Sequence, residues 1–248
     1  MTDTALTEDV IRALPKVSLH DHLDGGLRPQ TILELAASGG IELPGGAPMK
    51  NPSTLGAWFA EKADSGSLVE YLKTFDVTLS VMQTAEGLSR VAREFVEDLV
   101  VDGVVYGEIL WAPEQHCEKG LSLEQAVDAV QSGLDEAVAK ATASGKAIRV
   151  GQLITAMRHN DRGMEIAQLA LAYRDRGCVG FDIAGAEAGF PPSRFADAFT
   201  HLAQNMFPVT VHAGEGDGVE SIRSALVDGR TLRLGHGVRI AEDIGDLS

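Results

Sequence analysis

The sequence predicts an α/β protein built on a parallel sheet with helices outside it. Two observations carry that expectation. Short apolar runs alternate with longer helical patterns along the chain, six runs in all, as βαβ units do. The runs are near-continuously apolar, as in "VVYGEIL" and "IRVGQLI", which is how strands covered on both faces read. A doubly wound sheet and a barrel both satisfy this pattern. The first run lacks a following G-x-G-x-x-G, which weakens the dinucleotide-binding version.

The elements follow in order. "KVSLHDHL" is the first strand. "RPQTILELAAS" is a helix with Pro29 at its start, where a missing N–H does no harm. "GGIELPGGAPMKNPS" reads as a surface loop. "SLVEYLKTFDVTLSVMQ" places Leu68, Tyr71, Leu72, Phe75 and Leu79 at helical spacing, which predicts one amphipathic helix. "LSRVAREFVEDLVVDG" is a helix closed by Gly103, and "VVYGEILWAP" the second strand. A long helix begins near Ser122 and stops at Gly145. The strands "AIRVGQLITAM", "VGFDIAG", "FPVTVHAGE" and "TLRLGHGV" then alternate with the helices "GMEIAQLALAYRDRG", "PPSRFADAFTHLAQNM" and "GVESIRSALVDG".

Composition narrows the function. The chain has 248 residues and a net charge of −15, so it offers no basic surface for nucleic acid or an anionic membrane. The charge itself reads as ordinary solubility. Two distant cysteines, Cys117 and Cys178, form no C-x-x-C motif and fit a reducing cytosol. The opening "MTDTALTEDV" is acidic and polar, unlike a secretory signal, and no apolar run approaches a membrane span. A cytoplasmic protein is the expectation.

The polar residues collect at strand ends. The first strand ends with His20, His22 and Asp24, and side chains two apart on a strand share a face. The fourth ends with Asp182 and Gly185, the fifth with His212 and Glu215, and the sixth with His236. In a barrel all of these converge on the C-terminal mouth, where such folds keep their sites. Neutral imidazoles suit Zn²⁺, which leaves a position open for water at catalytic sites and makes that water acidic. A further His and Glu can then move protons. His116, His159 and His201 read as packing or surface residues. The Gly-rich "GEGDGVES" lacks the lysine of a phosphate loop and reads as a turn.

"LPKVSLHDHLDGGLRP", "GVVYGEILWAP", "AMRH", "DIAGAE", "TVHAGE" and "RLGHGVR" occur in this order. Together they closely resemble the adenosine deaminase family, from about Leu14 onward. That resemblance implies a (β/α)8 TIM-barrel fold and a single catalytic domain over 1–248, with a helical flap insertion at about 27–90. It implies one zinc ion per chain, with His20, His22 and His212 as ligands. Glu215 would protonate purine N1, which calls for a protonated, buried carboxyl. His236 would orient and deprotonate the attacking water. Gly185 would offer a backbone donor to the purine, and Asp24 would meet a ribose hydroxyl. Leu68, Tyr71, Leu72 and Phe75 would form an apolar flap over the site. The implied reaction is hydrolytic deamination of adenosine and 2'-deoxyadenosine to inosine and ammonia. Adenine or another 6-aminopurine is the alternative substrate. The implied partner is a small-molecule purine nucleoside; nucleic acid and membrane are not expected, and the oligomeric state stays open.

The family carries two further strands, the last with a paired-aspartate motif. This sequence shows six β/α units, and Asp243 and Asp246 fall after the sixth strand in helical surroundings. They are not assigned to that motif. Six strands do not close a barrel of eight, so strands one and six are expected to be edges. The chain alone is expected to be weakly active or inactive, or to bind zinc or nucleoside without turnover.

Overall fold

The computed structural model describes residues 7–244. Four strands pair in parallel in chain order: β1 (Lys16–His22), β2 (Val104–Trp111), β3 (Arg149–Met157) and β4 (Cys178–Ala184). An isolated parallel bridge between Phe181 and Val209 leads on to β5 (Thr210–Ala213), which pairs in parallel with β6 (Arg233–His236). Every one of these pairings is parallel, so the carboxyl ends of the strands point one way. This is the arrangement of a partial (β/α) barrel, as the sequence predicts. Among the described residues β1 and β6 each pair on one side only. Val17 and Leu232 are exposed beside them.

The helices form where capping and periodicity place them. Thr84 caps α6 (Ala85–Val101), and Gly103, at φ +80°, turns the chain into β2. Ser122 and Gln125 form a reciprocal capping box on α7 (Leu123–Ala143). These two helices pack closely because Gly133 has no side chain; a Cβ there would overlap the Ser89 carbonyl. The later helices are α8 (Gly163–Ala172), α9 (Ala196–Gln204) and α10 (Val219–Val227), with α11 (Ala241–Ile244) last. The core lies between strands and helices, where Ile109, Ile154, Phe181 and Ile183 meet Leu134, Ile166 and Phe199. Asp243 lies in α11, and Asp246 lies outside the described residues.

Several elements differ from the sequence expectation. Two helices escape it. These are α1 (Glu8–Ala13), which buries nothing, and α3 (Pro52–Ala63), which buries only Leu55. With so little buried, neither carries a clear apolar stripe. The surface loop expected over 39–53 is confined to residues 40–51, with a 3-10 turn at Pro44–Gly46, and its Leu43 and Ala47 are buried, so it packs down onto the core. The single helix expected over 67–83 is two: α4 (Leu68–Leu72) and α5 (Phe75–Val81). The buried Thr74 hydroxyl donates to the Tyr71 carbonyl at 2.7 Å at the joint. Thr78 and Ser80 donate back to carbonyls in the same way, a habit that bends and interrupts helices. With α2 (Pro29–Gly39), these helices lie between β1 and β2. Among the described residues, no helix is long and apolar enough to cross a membrane.

Candidate active site

Four imidazoles meet at the barrel mouth. His20 and His22 come from β1, with ring centroids 5.4 Å apart. His212 comes from β5 and His236 from β6. His22 Nε2 lies 3.2 Å from His212 Nε2, and His20 Nε2 lies 3.2 Å from His236 Nε2. Gly235 makes this approach possible, since a Cβ there would sit 2.6 Å from the His20 ring. His236 itself adopts φ +67°, a backbone conformation rare for a side-chain-bearing residue and typical of constrained sites.

The chemistry of this donor set favours a cation. Burial pushes the His20 pKa down to about 4 and that of His22 down to about 2, so both rings are neutral near pH 7. Burial also lowers His236. Burial works against a charge on His212 too, but the buried Asp182 carboxylate outweighs it and raises that pKa. The same Asp182 fixes the tautomer: His212 Nδ1 donates to its Oδ2 at 2.9 Å, leaving Nε2 as a lone pair facing its neighbours. His20 Nδ1 is buried without a partner. Facing lone pairs need a proton or a metal ion between them, and neutral imidazoles are the usual ligands of divalent zinc. Among the described residues, His20, His212 and His236 hold ligand atoms within 4.8 Å of one another. His22 adjoins that group through His212.

All the site residues named from the sequence except His20 line one cavity of about 400 Å³. Leu68, Tyr71, Leu72 and Phe75 form one wall, from α4 and α5. Gly185 also lines the cavity, at φ +104°. Asp24 is 5% exposed, its Oδ1 has no partner, and burial pushes its pKa up to about 6. Glu215 Oε2 lies 3.4 Å from His236 Nε2. Its side chain keeps 30% exposure, so the burial expected of it is only partial.

Sequence reasoning missed a supporting set of residues. Asp182 stood out as polar but without a role; it is the partner of His212. Arg158, fully buried at the end of β3, donates to the His212 and Phe190 carbonyls. Glu187, also buried, accepts from the turn that carries Glu215. Arg158 and Glu187 lie inside "AMRH" and "DIAGAE", so the signal was the motif, not the chemistry. His159, read as a surface or packing residue, is exposed and lines the cavity. His116 is a packing residue as expected: fully buried, it donates from Nδ1 to the Met82 carbonyl at 3.0 Å.

The family model for adenosine deaminase matches residues 15–247. The chain belongs to the adenosine deaminase family. It is 57% identical over 236 residues to adenosine deaminase 1 of Streptomyces coelicolor, covering 95% of this chain and 59% of that protein. It is 53% identical over 234 residues to an adenosine deaminase of Mycobacteroides abscessus, covering 94% and 64%. Among solved structures, the adenine deaminase of Arthrobacter aurescens superposes with a TM-score of 0.78 at 28% identity, covering 95% of this chain and 68% of that one. The chain thus spans about three fifths of the length of these two curated family members.

Proposed function

We propose that this site deaminates adenosine and 2'-deoxyadenosine by hydrolysis, releasing inosine or its deoxy form and ammonia. The observation that carries the reading is the meeting of four imidazoles and Glu215 beside one apolar cavity that is also lined by a buried, unpartnered acid, Asp24. His20, His22 and His212 would hold one Zn²⁺, with His236 close enough to join or replace one of them. When bound, zinc supplies Lewis acidity that lets water act as a nucleophile near neutral pH.

The remaining roles fall to the chain's own side chains. Asp182 holds His212 in its metal-binding tautomer. Glu215 gives a proton to the purine ring nitrogen as water adds at the neighbouring carbon. His236 orients that water, takes one of its protons and hands it to the amine, which departs as ammonia, while the remaining hydroxyl proton returns to Glu215 as the carbonyl forms. The Gly185 backbone N–H faces the purine. Asp24 accepts a hydrogen bond from a sugar hydroxyl, which satisfies its free oxygen and favours a nucleoside over the free base. Leu68, Tyr71, Leu72 and Phe75 cover the ring and keep bulk water out. The two free cysteines suit a cytoplasmic setting, and the acidic surface gives nucleic acid no purchase.

The test is ammonia release by the purified chain from adenosine, 2'-deoxyadenosine and adenine, with zinc added and with a chelator. Any turnover by this chain is expected to be weak, to depend on zinc and to favour the nucleosides over adenine. Glu215→Gln is expected to lower kcat by about 10²–10⁴-fold, the usual worth of a positioned proton donor, and to keep nucleoside binding. A Glu215→Gln protein with unchanged kcat would exclude the proton-donor role. Bound zinc with no turnover would leave a nucleoside- or metal-binding protein.

A further inference from the structure

The glycine-rich turn after β5, 214–218, is not the plain connection its sequence suggests. The backbone N–H groups of Gly214, Glu215, Gly216 and Asp217 all donate to one carboxylate, that of Glu187, at 2.7, 3.0, 2.7 and 3.0 Å. The Ser221 hydroxyl, in the first turn of α10, donates to the same group at 2.5 Å. Successive N–H groups turned inward make a nest that binds anions. Here the anion is internal. Glu187 is 3% exposed; burial would raise its pKa, but the five donors hold it below the ordinary value. Gly214 adopts φ +74° in this turn, and a Cβ on it would press into Ile222. The glycines therefore allow the wrap, and Glu187 gives it something to close on.

This turn carries Glu215. The Glu215 carboxylate has one close partner among the described residues, His236, at 3.4 Å. Its direction is set by its backbone, and that backbone is held on both sides and at its own N–H by Glu187. We infer that Glu187 is a positioning residue: it is the internal anion around which the glycine-rich turn folds, and through that turn it aims Glu215 into the cavity. The inference rests on the proton-donor reading of Glu215 given above. A division of labour follows along β4 and the loop after it. Asp182 orients the metal-facing histidine, and Glu187, five residues on, orients the proton donor. With the nest already filled, the turn has no vacancy for a phosphate.

The experiment is Glu187→Ala in the full chain, zinc-loaded, with and without added acetate. Acetate replaces the carboxylate that the substitution removes and can refill the nest. Two quantities are measured: hydrogen–deuterium exchange of amides 214–217, and kcat and KM for adenosine. Faster exchange confined to the turn is expected. A fall in kcat of about 100-fold is also expected, the scale of a small misplacement of a reacting group, with KM changing less. Acetate is expected to restore both in part, which a merely structural loss would not show. Unchanged exchange in the turn overturns the inference, as does an unchanged kcat once the turn has loosened. If Glu187→Ala fails to fold, Glu187→Gln takes its place. It keeps the size and one acceptor but sets an NH₂ against the donors, so a smaller, acetate-insensitive loss is expected; wild-type exchange and kcat in it overturn the inference. If the wild-type chain releases no ammonia, the catalytic reading fails for this chain. Exchange alone then decides on Glu187: a turn loosened by the substitution and re-ordered by acetate upholds it, and a turn that stays protected overturns it.

Discussion

The β4–β5 side of the cavity and its α4–α5 wall are built by different means. On the β4–β5 side, Asp182, Glu187 and Arg158 are all buried, and each is tied to β5 or the turn beyond it. On the α4–α5 wall, α4 buries no residue, Val69 is 57% exposed, the helix pair is interrupted at Thr74, and only α5 is anchored, by Val77, Thr78 and Val81. Charge-assisted hydrogen bonds in a low-dielectric interior are strong and directional, so they fix geometry. Short helices held by apolar contact open more cheaply. The buried hydrogen-bonded network thus stands behind the groups proposed to move protons, and the less buried helix α4 on the apolar wall.

Three measurements can break or sharpen that contrast. The largest effect is expected from Asp182→Asn. The amide cannot accept from His212 Nδ1 as the carboxylate does, and loss of such an outer partner typically lowers metal affinity or activity by about 10–100-fold. Zinc titration and ammonia release would read it; an Asn variant with wild-type zinc affinity would show that the β4–β5 network does not tune the metal end.

The second concerns the base of the flap, where His116 is held by the Met82 carbonyl just beyond α5. Burial keeps the His116 pKa down at about 4. The unfolded chain takes up that proton near pH 6.5, while the folded chain does not until about pH 4. Below pH 6.5 the unfolded state binds more protons, so stability falls as pH falls towards 4 and loses nothing further from this group below that. The loss between about pH 7 and about pH 5 should be about 2 kcal/mol. Urea unfolding of His116→Phe at both pH values should show that much less acid sensitivity, and an undiminished pH dependence would remove His116 as its source.

The smallest effect is expected from Phe75→Leu. Phe75 is half-buried, lines the cavity and stacks edge-on against Tyr71 at 5.4 Å. A near-conservative apolar change should lower stability by less than about 1.5 kcal/mol. KM should rise while kcat holds, because the cover has loosened and the proton-moving groups have not. A fall in kcat with KM unchanged would place Phe75 with the rigid side instead.

The strands were legible because each is a short, nearly unbroken apolar run ended by polar residues, and all six lie where "KVSLHDHL" to "TLRLGHGV" put them. Helix α7 was legible from its start near Ser122 and its stop at Gly145, and α6 from its stop at Gly103, although its start at Ala85 lies before the expected Leu88. Helices α1 and α3 were not, because so little of either is buried that no apolar period marks them. The break between α4 and α5 was hidden because periodicity registers side-chain spacing and is blind to a threonine bonding backwards.

The sequence by itself determined which residue types stand at which strand ends: His20, His22, Asp24, His212, Glu215 and His236. It also determined the parallel alternation that sends those ends one way. Those follow from local pattern, period two in strands and 3.6 in helices, and need no knowledge of distant partners. Only the tertiary structure decided which lone pairs face each other, which carboxylate fixes the His212 tautomer, and that a glycine-rich turn closes on Glu187, 27 residues before it. Those are contacts between residues far apart in the chain. Their geometry exists only once the strands have packed side by side and excluded water from the groups between them.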